Sequence, residues 1–137
     1  MKAEHKLSIH ELLARAASCF DAHDLHGLER CFTSTAKMSV NITGSGPIGP
    51  FDGREAIMQL MKDAWAAQTD QRRHIISNIF FEEEESASAT AVSNLVVFSV
   101  EDGAINSIIS GVYRDNVIRT GDDWQIANRH LDLDLPF

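Results

Sequence analysis

The stretch "CFDAHDLHG", residues 19–27, places Asp21, His23, Asp24 and His26 within six consecutive positions. Three readings are open at this point: a metal site, an acid–base centre, or a polar junction between two helices. Upstream, Ile9, Leu12, Leu13, Ala16, Ala17 and Phe20 recur at i, i+3, i+4, i+7, i+8 and i+11, one stripe of an amphipathic helix expected over Leu7–Phe20. Ser8 followed by Glu11 has the spacing of a capping box at its start. Downstream, Asp24 is placed to N-cap a second helix, Leu25–Phe32, with Leu25, Leu28 and Phe32 on its inner face. The stretch is therefore a helix–break–helix junction. A metal needs three or four converging ligands, and a break between helices splays side chains apart, so no metal is expected. His23 and His26 are expected in water. Asp21 lies on the flank of the buried stripe, where it either caps a neighbouring backbone or points inward. An inward carboxylate needs a partner, because an isolated buried charge is expensive.

Working outward, "AKMSVNI" (36–42) has the composition of a strand. The following "GSGPIG" (44–49) matches GxGxxG, but the dinucleotide fingerprint needs a strand before it and a helix beginning inside it. Pro47, Pro50 and Gly53 instead predict a flexible loop over a pocket mouth. Asp52 and Glu55 predict a capped third helix through Ile57, Leu60, Met61 and Trp65 to about Gln68. Four β-rich runs follow, "RRHIISNIFFEE", "ASATAVSNLVVFSVED", "INSIISGVYRDNVIR" and "DWQIANRHLDLDL", divided by turn-forming "EEES", "EDGA" and "RTGDD". Three helices and then a meander predict an α+β domain, with the helices on one face of a curved antiparallel sheet. Such a sheet leaves a concavity suited to a small molecule. The terminal "DLDLPF" alternates, extending the last strand or covering an edge.

The 137 residues suit a single domain, 1–137. A formal charge of −8 without a Lys/Arg cluster argues against nucleic acid as a partner. The N-terminus lacks the apolar core of a signal peptide, and "NLVVFSV" is too short to span a bilayer, so no membrane association is expected. Cys19 and Cys31 have no CxxC spacing and suit reduced thiols of a cytoplasmic protein.

A candidate partner for Asp21 is His74 in "RRHIISN". Strand alternation puts His74, Ile76, Asn78 and Phe80 on one face, and Arg73, Ile75, Ser77 and Ile79 on the other. Both faces carry apolar residues. His74 is either a satisfied core histidine or a base oriented by a carboxylate. In the last strand Arg129 alternates with Gln125 and Ala127, against Trp124, Ile126, Asn128 and His130, and alternation alone does not say which set faces inward.

Taken in order, these segments resemble the SnoaL-like branch of the nuclear transport factor 2-like superfamily. "ARAASCFDAHDLHGLERCFTSTA" is similar to its first two helices, "DGREAI" to its third-helix start, and "RRHIISNIFFE" to the strand with its His and Asn. "SGVYRDNVIRTGDDWQIANRHLD" is similar to its closing hairpin, G-x-Y-x-D with W-x-I-x-x-R. The resemblance implies a cone-shaped, cystatin-like fold with an apolar pocket. It also implies an Asp–His dyad, Asp21 and His74, of the kind that family dehydratases and dehydrochlorinases use for cofactor-independent proton abstraction from carbon. Histidine suits that task because it titrates nearest to neutral pH. Arg129 corresponds to the cationic residue of the dehydrochlorinases. Phe20, Trp65, Asn78 and Tyr113 are the expected substrate contacts. Two departures stand out: Phe20 replaces a tyrosine of the dehydratases, and no second pocket histidine lies between His74 and His130. The expected function is a lyase or isomerase acting on a small apolar cyclic substrate, polyketide cyclisation being a related use of the same dyad. The alternative is a non-catalytic ligand-binding protein or a small subunit like the beta subunit of ring-hydroxylating dioxygenases, in which Asp21 and His74 would not meet. The resemblance also implies a homodimer or homotrimer.

Overall fold

The apolar stripe of residues 9–20 builds helix α1 (Ala3–Asp21), which buries Ile9, Leu12, Leu13 and Ala16 completely or nearly so. Each of the isoleucine and leucine side chains contributes about 1.5–3 kcal/mol of burial, and truncating Leu13 to alanine would cost about 2–5 kcal/mol. The structure, a computed structural model, describes residues 1–137. The helix starts before the predicted capping box: Lys2 is its N-cap without a side-chain bond, and Ser8 Oγ donates to the Glu4 carbonyl one turn back. Helix α2 (Leu25–Arg30) is capped as expected, with Asp24 accepting from the Gly27 N–H at 3.0 Å. It ends sooner than predicted, because the Cys31 carbonyl is taken by the Ile126 N–H and Phe32 already begins strand β1 (Phe32–Ile42). The predicted loop around "GSGPIG" is instead a hairpin into strand β2 (Gly46–Asp52). Strand β2 is an edge strand, which explains how Pro47 and Pro50 are tolerated within it. Helix α3 (Arg54–Ala67) has Gly53, at φ 95°, as N-cap, so Asp52 does not cap it.

Strands β3 (Gln71–Glu84), β4 (Ser88–Glu101), β5 (Ala104–Thr120) and β6 (Asp123–Leu133) form the meander. The sheet order is β2-β1-β6-β5-β4-β3. All pairs are antiparallel except β1 with β6, which run parallel, so the sheet is mixed, not purely antiparallel as expected. Gly111 sits where a Cβ would come within 2.5 Å of the Asp132 carbonyl, so only glycine permits the close β5–β6 approach there.

Were the sheet flat, β2 and β3 would stand about 24 Å apart, five strand spacings. Yet side chains from all six strands line one cavity of about 240 Å³, whose opposite side is lined by α1 and α3. The sheet therefore bends around that cavity, and two bulges set which side chains enter it. In β3 the register shifts between Ser77 and Phe80, with Asn78 at φ 55°. In β6 it shifts at Ala127, which is skipped between the Asn116–Asn128 and Val117–Ile126 pairs. A bulge reverses the inward–outward phase beyond it.

Candidate active site

Asp21 ends α1 at its buried flank, and His74 faces inward from β3. Asp21 Oδ1 lies 2.6 Å from His74 Nδ1, and Oδ2 accepts the His74 backbone N–H at 2.7 Å. Both oxygens are thus committed to one residue, which fixes ring position and tilt together. A carboxylate at a helix C-terminus sits against the negative end of the helix dipole, so these bonds offset a cost as well as orient the ring. The Asp21 backbone is held as well, by Gln71 Nε2 donating to its carbonyl at 3.0 Å. With Nδ1 donating to Asp21, the proton-free nitrogen is Nε2, which has no partner in the chain. His74 lines the cavity and Asp21 does not, so the dyad has its carboxylate behind and its free nitrogen toward the cavity.

Phe20 lines the cavity beside the dyad, its ring 4.7 Å from that of His74 and inclined by 62°. Trp65, expected on the cavity wall, stands behind Phe20 instead, donating from Nε1 to the Phe20 carbonyl at 3.1 Å. Its other face stacks on His23 at 4.9 Å. Asn78 is also displaced from the expected site: the β3 bulge turns it outward, exposed and away from the cavity. The original cluster thus separates, with Asp24 a cap, His23 stacked on Trp65 and His26 exposed.

The bulge at Ala127 brings Arg129 inward on the same side as Trp124 and Ile126, which simple alternation had opposed to it. Arg129 lines the cavity and grips Asp115 with two bonds, Nε–Oδ1 at 2.7 Å and Nη2–Oδ2 at 3.1 Å. Burial pulls the guanidinium's pKa down, but the Asp115 charge and then Tyr113 outweigh it, and the net direction is up. Arg129 therefore stays charged, and its Nη1 edge is not used by Asp115. Its guanidinium lies 4.0 Å over the Tyr113 ring. Burial raises the Tyr113 phenol, with Arg129 opposing and Asp115 and Asp21 adding, so the hydroxyl remains a donor at neutral pH. Sequence reasoning missed Asp115, although it shares the G-x-Y-x-D alternation with Tyr113. It missed Arg72 and Gln68, both on the cavity wall, although Arg72 shares the alternation of His74.

Fold and site together define a cystatin-like, nuclear-transport-factor-2-like protein: three helices on a bent six-stranded sheet around a pocket with an inward Asp–His pair. The chain belongs to the SnoaL-like domain family, whose model matches residues 1–130. Among solved structures it is similar to a protein of unknown function with a cystatin-like fold from Nostoc punctiforme, at 26% identity and TM-score 0.84, over 99% of this chain and 97% of that one. A nuclear-transport-factor-2-like protein from Novosphingobium aromaticivorans matches at 26% identity and TM-score 0.80, over 95% of this chain and 82% of that one. The beta subunit of a putative aromatic-ring-hydroxylating dioxygenase from the same organism shares the fold at 18% identity and TM-score 0.81, over 95% and 89%. No curated protein matches the chain. No helix is long and apolar enough to cross a membrane.

Proposed function

We propose that the protein is a cofactor-independent lyase or isomerase that removes a carbon-bound proton from a small, largely apolar cyclic substrate. The observation that carries this reading is the Asp21–His74 pair, 2.6 Å apart with the unpartnered Nε2 toward an apolar cavity. His74 Nε2 takes the proton, and Asp21 stabilises the imidazolium that forms and holds its tautomer, as in other carboxylate–histidine pairs. The Tyr113 hydroxyl and the Arg129 Nη1 edge donate to the oxygen or leaving group on which negative charge develops. In an elimination that charge departs with the leaving group; in an isomerisation His74 returns the proton to a neighbouring carbon. The non-catalytic alternative required Asp21 and His74 to lie apart, and their contact weighs against it.

The reading includes a cytoplasmic location, supported by two free, buried cysteines, Cys19 and Cys31. It includes a homodimer or homotrimer, supported by the apolar side chains Ile75, Phe80 and Ile105 that the outer face leaves exposed. The test uses a bicyclic ketone, 2-tetralone, in deuterated buffer, with α-carbon exchange followed by NMR. Exchange above the buffer rate that is lost in both Asp21→Asn and His74→Ala supports the reading. Wild-type exchange no faster than buffer, or exchange unchanged in both variants, overturns it.

A further inference from the structure

The dyad leaves one end of the cavity unexplained, where α3 hands over to β3. Arg72 precedes His74 by two residues on the same inward alternation, which sets their Cα atoms about 6.6 Å apart, and it lines the same cavity. Its Nε donates to Asp70 Oδ2 at 2.8 Å, and Ser99 Oγ donates to that same oxygen. Asp70 is nearly sealed, with a side chain 7% exposed, and the Ser99 bond, then Arg72, hold its carboxyl below its ordinary range. Arg72 is thus clamped from behind by a charged group through Nε alone. Its two Nη groups have no partner in the chain and are not sealed off. Gln68, the C-cap of α3, lines the same cavity, and its Oε1 is buried with no donor. A buried acceptor left unpaired costs free energy that a ligand donor would recover.

We propose that Arg72 and Gln68 form a recognition subsite for the polar end of the ligand, taking a carboxylate on the free Nη edge and a separate ring hydroxyl, donating, on Gln68 Oε1. The Nη1–Nη2 edge of Arg72 is whole and can take a carboxylate with two bonds, whereas Asp115 leaves Arg129, the other guanidinium of this cavity, only its Nη1. The ligand class is then a hydroxylated cyclic carboxylic acid, its ring in the apolar body and its acidic end beside His74. The inference rests on this cavity being the substrate site, but not on the chemistry of the dyad.

The test is calorimetric titration of the full chain with 3-hydroxybenzoate, its methyl ester and benzoate; the meta hydroxyl cannot bond its own carboxylate and is free to donate. 3-Hydroxybenzoate binds the wild type, and more tightly than its methyl ester, which lacks the anion, or benzoate, which lacks the hydroxyl. Arg72→Gln weakens 3-hydroxybenzoate by about 10- to 100-fold, the worth of a charge-assisted hydrogen bond, and leaves the ester unchanged. Gln68→Leu weakens 3-hydroxybenzoate but not benzoate. Binding of 3-hydroxybenzoate and exchange of 2-tetralone are read separately on the wild type: binding without exchange removes the dyad's chemistry and keeps the subsite, and exchange without binding does the reverse. If Arg72→Gln does not fold, the wild-type preference for 3-hydroxybenzoate over its ester and the Gln68→Leu result decide the matter. No wild-type binding of 3-hydroxybenzoate, equal affinity for it and its ester, or full affinity in Arg72→Gln would overturn the proposal.

Discussion

Two histidines touch aspartates in this molecule, on opposite faces of the sheet. His74 is inside, with side-chain exposures of 13% for the ring and 9% for Asp21. His130 is outside on β6, bonded through Nδ1 to Ser39 Oγ at 2.7 Å and through Nε2 to Asp132 Oδ1 at 2.9 Å, with exposures of 35% and 50% for His130 and Asp132. The outer cluster has the letters Ser, His and Asp of a hydrolase, yet both ring nitrogens are occupied and it does not line the apolar cavity. The inner pair has fewer members but keeps one nitrogen free toward an apolar chamber. A histidine–carboxylate contact becomes a candidate base through what faces its second nitrogen, and the first bond alone does not decide it.

That contrast is broken most directly by turnover. His74→Ala is expected to lower proton abstraction by about 10²–10⁴, on the order of 3–5 kcal/mol, whereas His130→Ala changes it by less than about twofold. Equal losses in the two variants would erase the distinction. Stability gives the next largest effect. Asp115 is fully buried beneath Arg129, and Asp115→Ala should cost about 3–5 kcal/mol in urea unfolding by stranding a buried guanidinium. Asp132→Ala, which breaks an exposed contact, should cost about 0–1 kcal/mol. Asp21→Asn falls between, about 1–3 kcal/mol, because it weakens two bonds in a nearly sealed place. The smallest effect is on acid stability. Asp70 has a folded pKa below its ordinary 3.8, so its contribution is complete above that value and is lost as pH falls through the lower folded value. Asp70→Asn should flatten this acid-side slope, and the difference from wild type should vanish at pH values below both pKa values.

What was legible in the sequence was local. The stripe from Ile9 to Phe20, the Asp24 cap and the three turns of the meander depend on neighbours in the chain, and the structure has them. The Asp21–His74 contact spans fifty-three residues, with no local signal connecting the two: the need of an inward carboxylate for a partner made His74 a candidate, and pattern resemblance paired them as a dyad. What alternation got wrong traces to the bulges. One extra residue near Asn78 turned that side chain out, and one at Ala127 brought Arg129 in beside Ile126. A bulge reflects how two strands fit each other, so it leaves little trace in either strand alone. The "GPIGPFD" strand was hidden for a different reason: its prolines suit an edge, and edge position is a property of the whole sheet. The parallel β1–β6 pairing is non-local in the same way.

The central claim is that Asp21 holds His74 with its Nε2 bare toward the cavity. Long-range proton–nitrogen correlation NMR of the ¹⁵N-labelled protein, at about pH 8.5 where histidines are ordinarily neutral, reads this ring by ring. His74 is predicted as the Nδ1–H tautomer, and His130, which gives its Nε2–H to Asp132 and accepts from Ser39, as the opposite one. An Nε2–H tautomer at His74, or a His74 spectrum unchanged by Asp21→Asn, would contradict it.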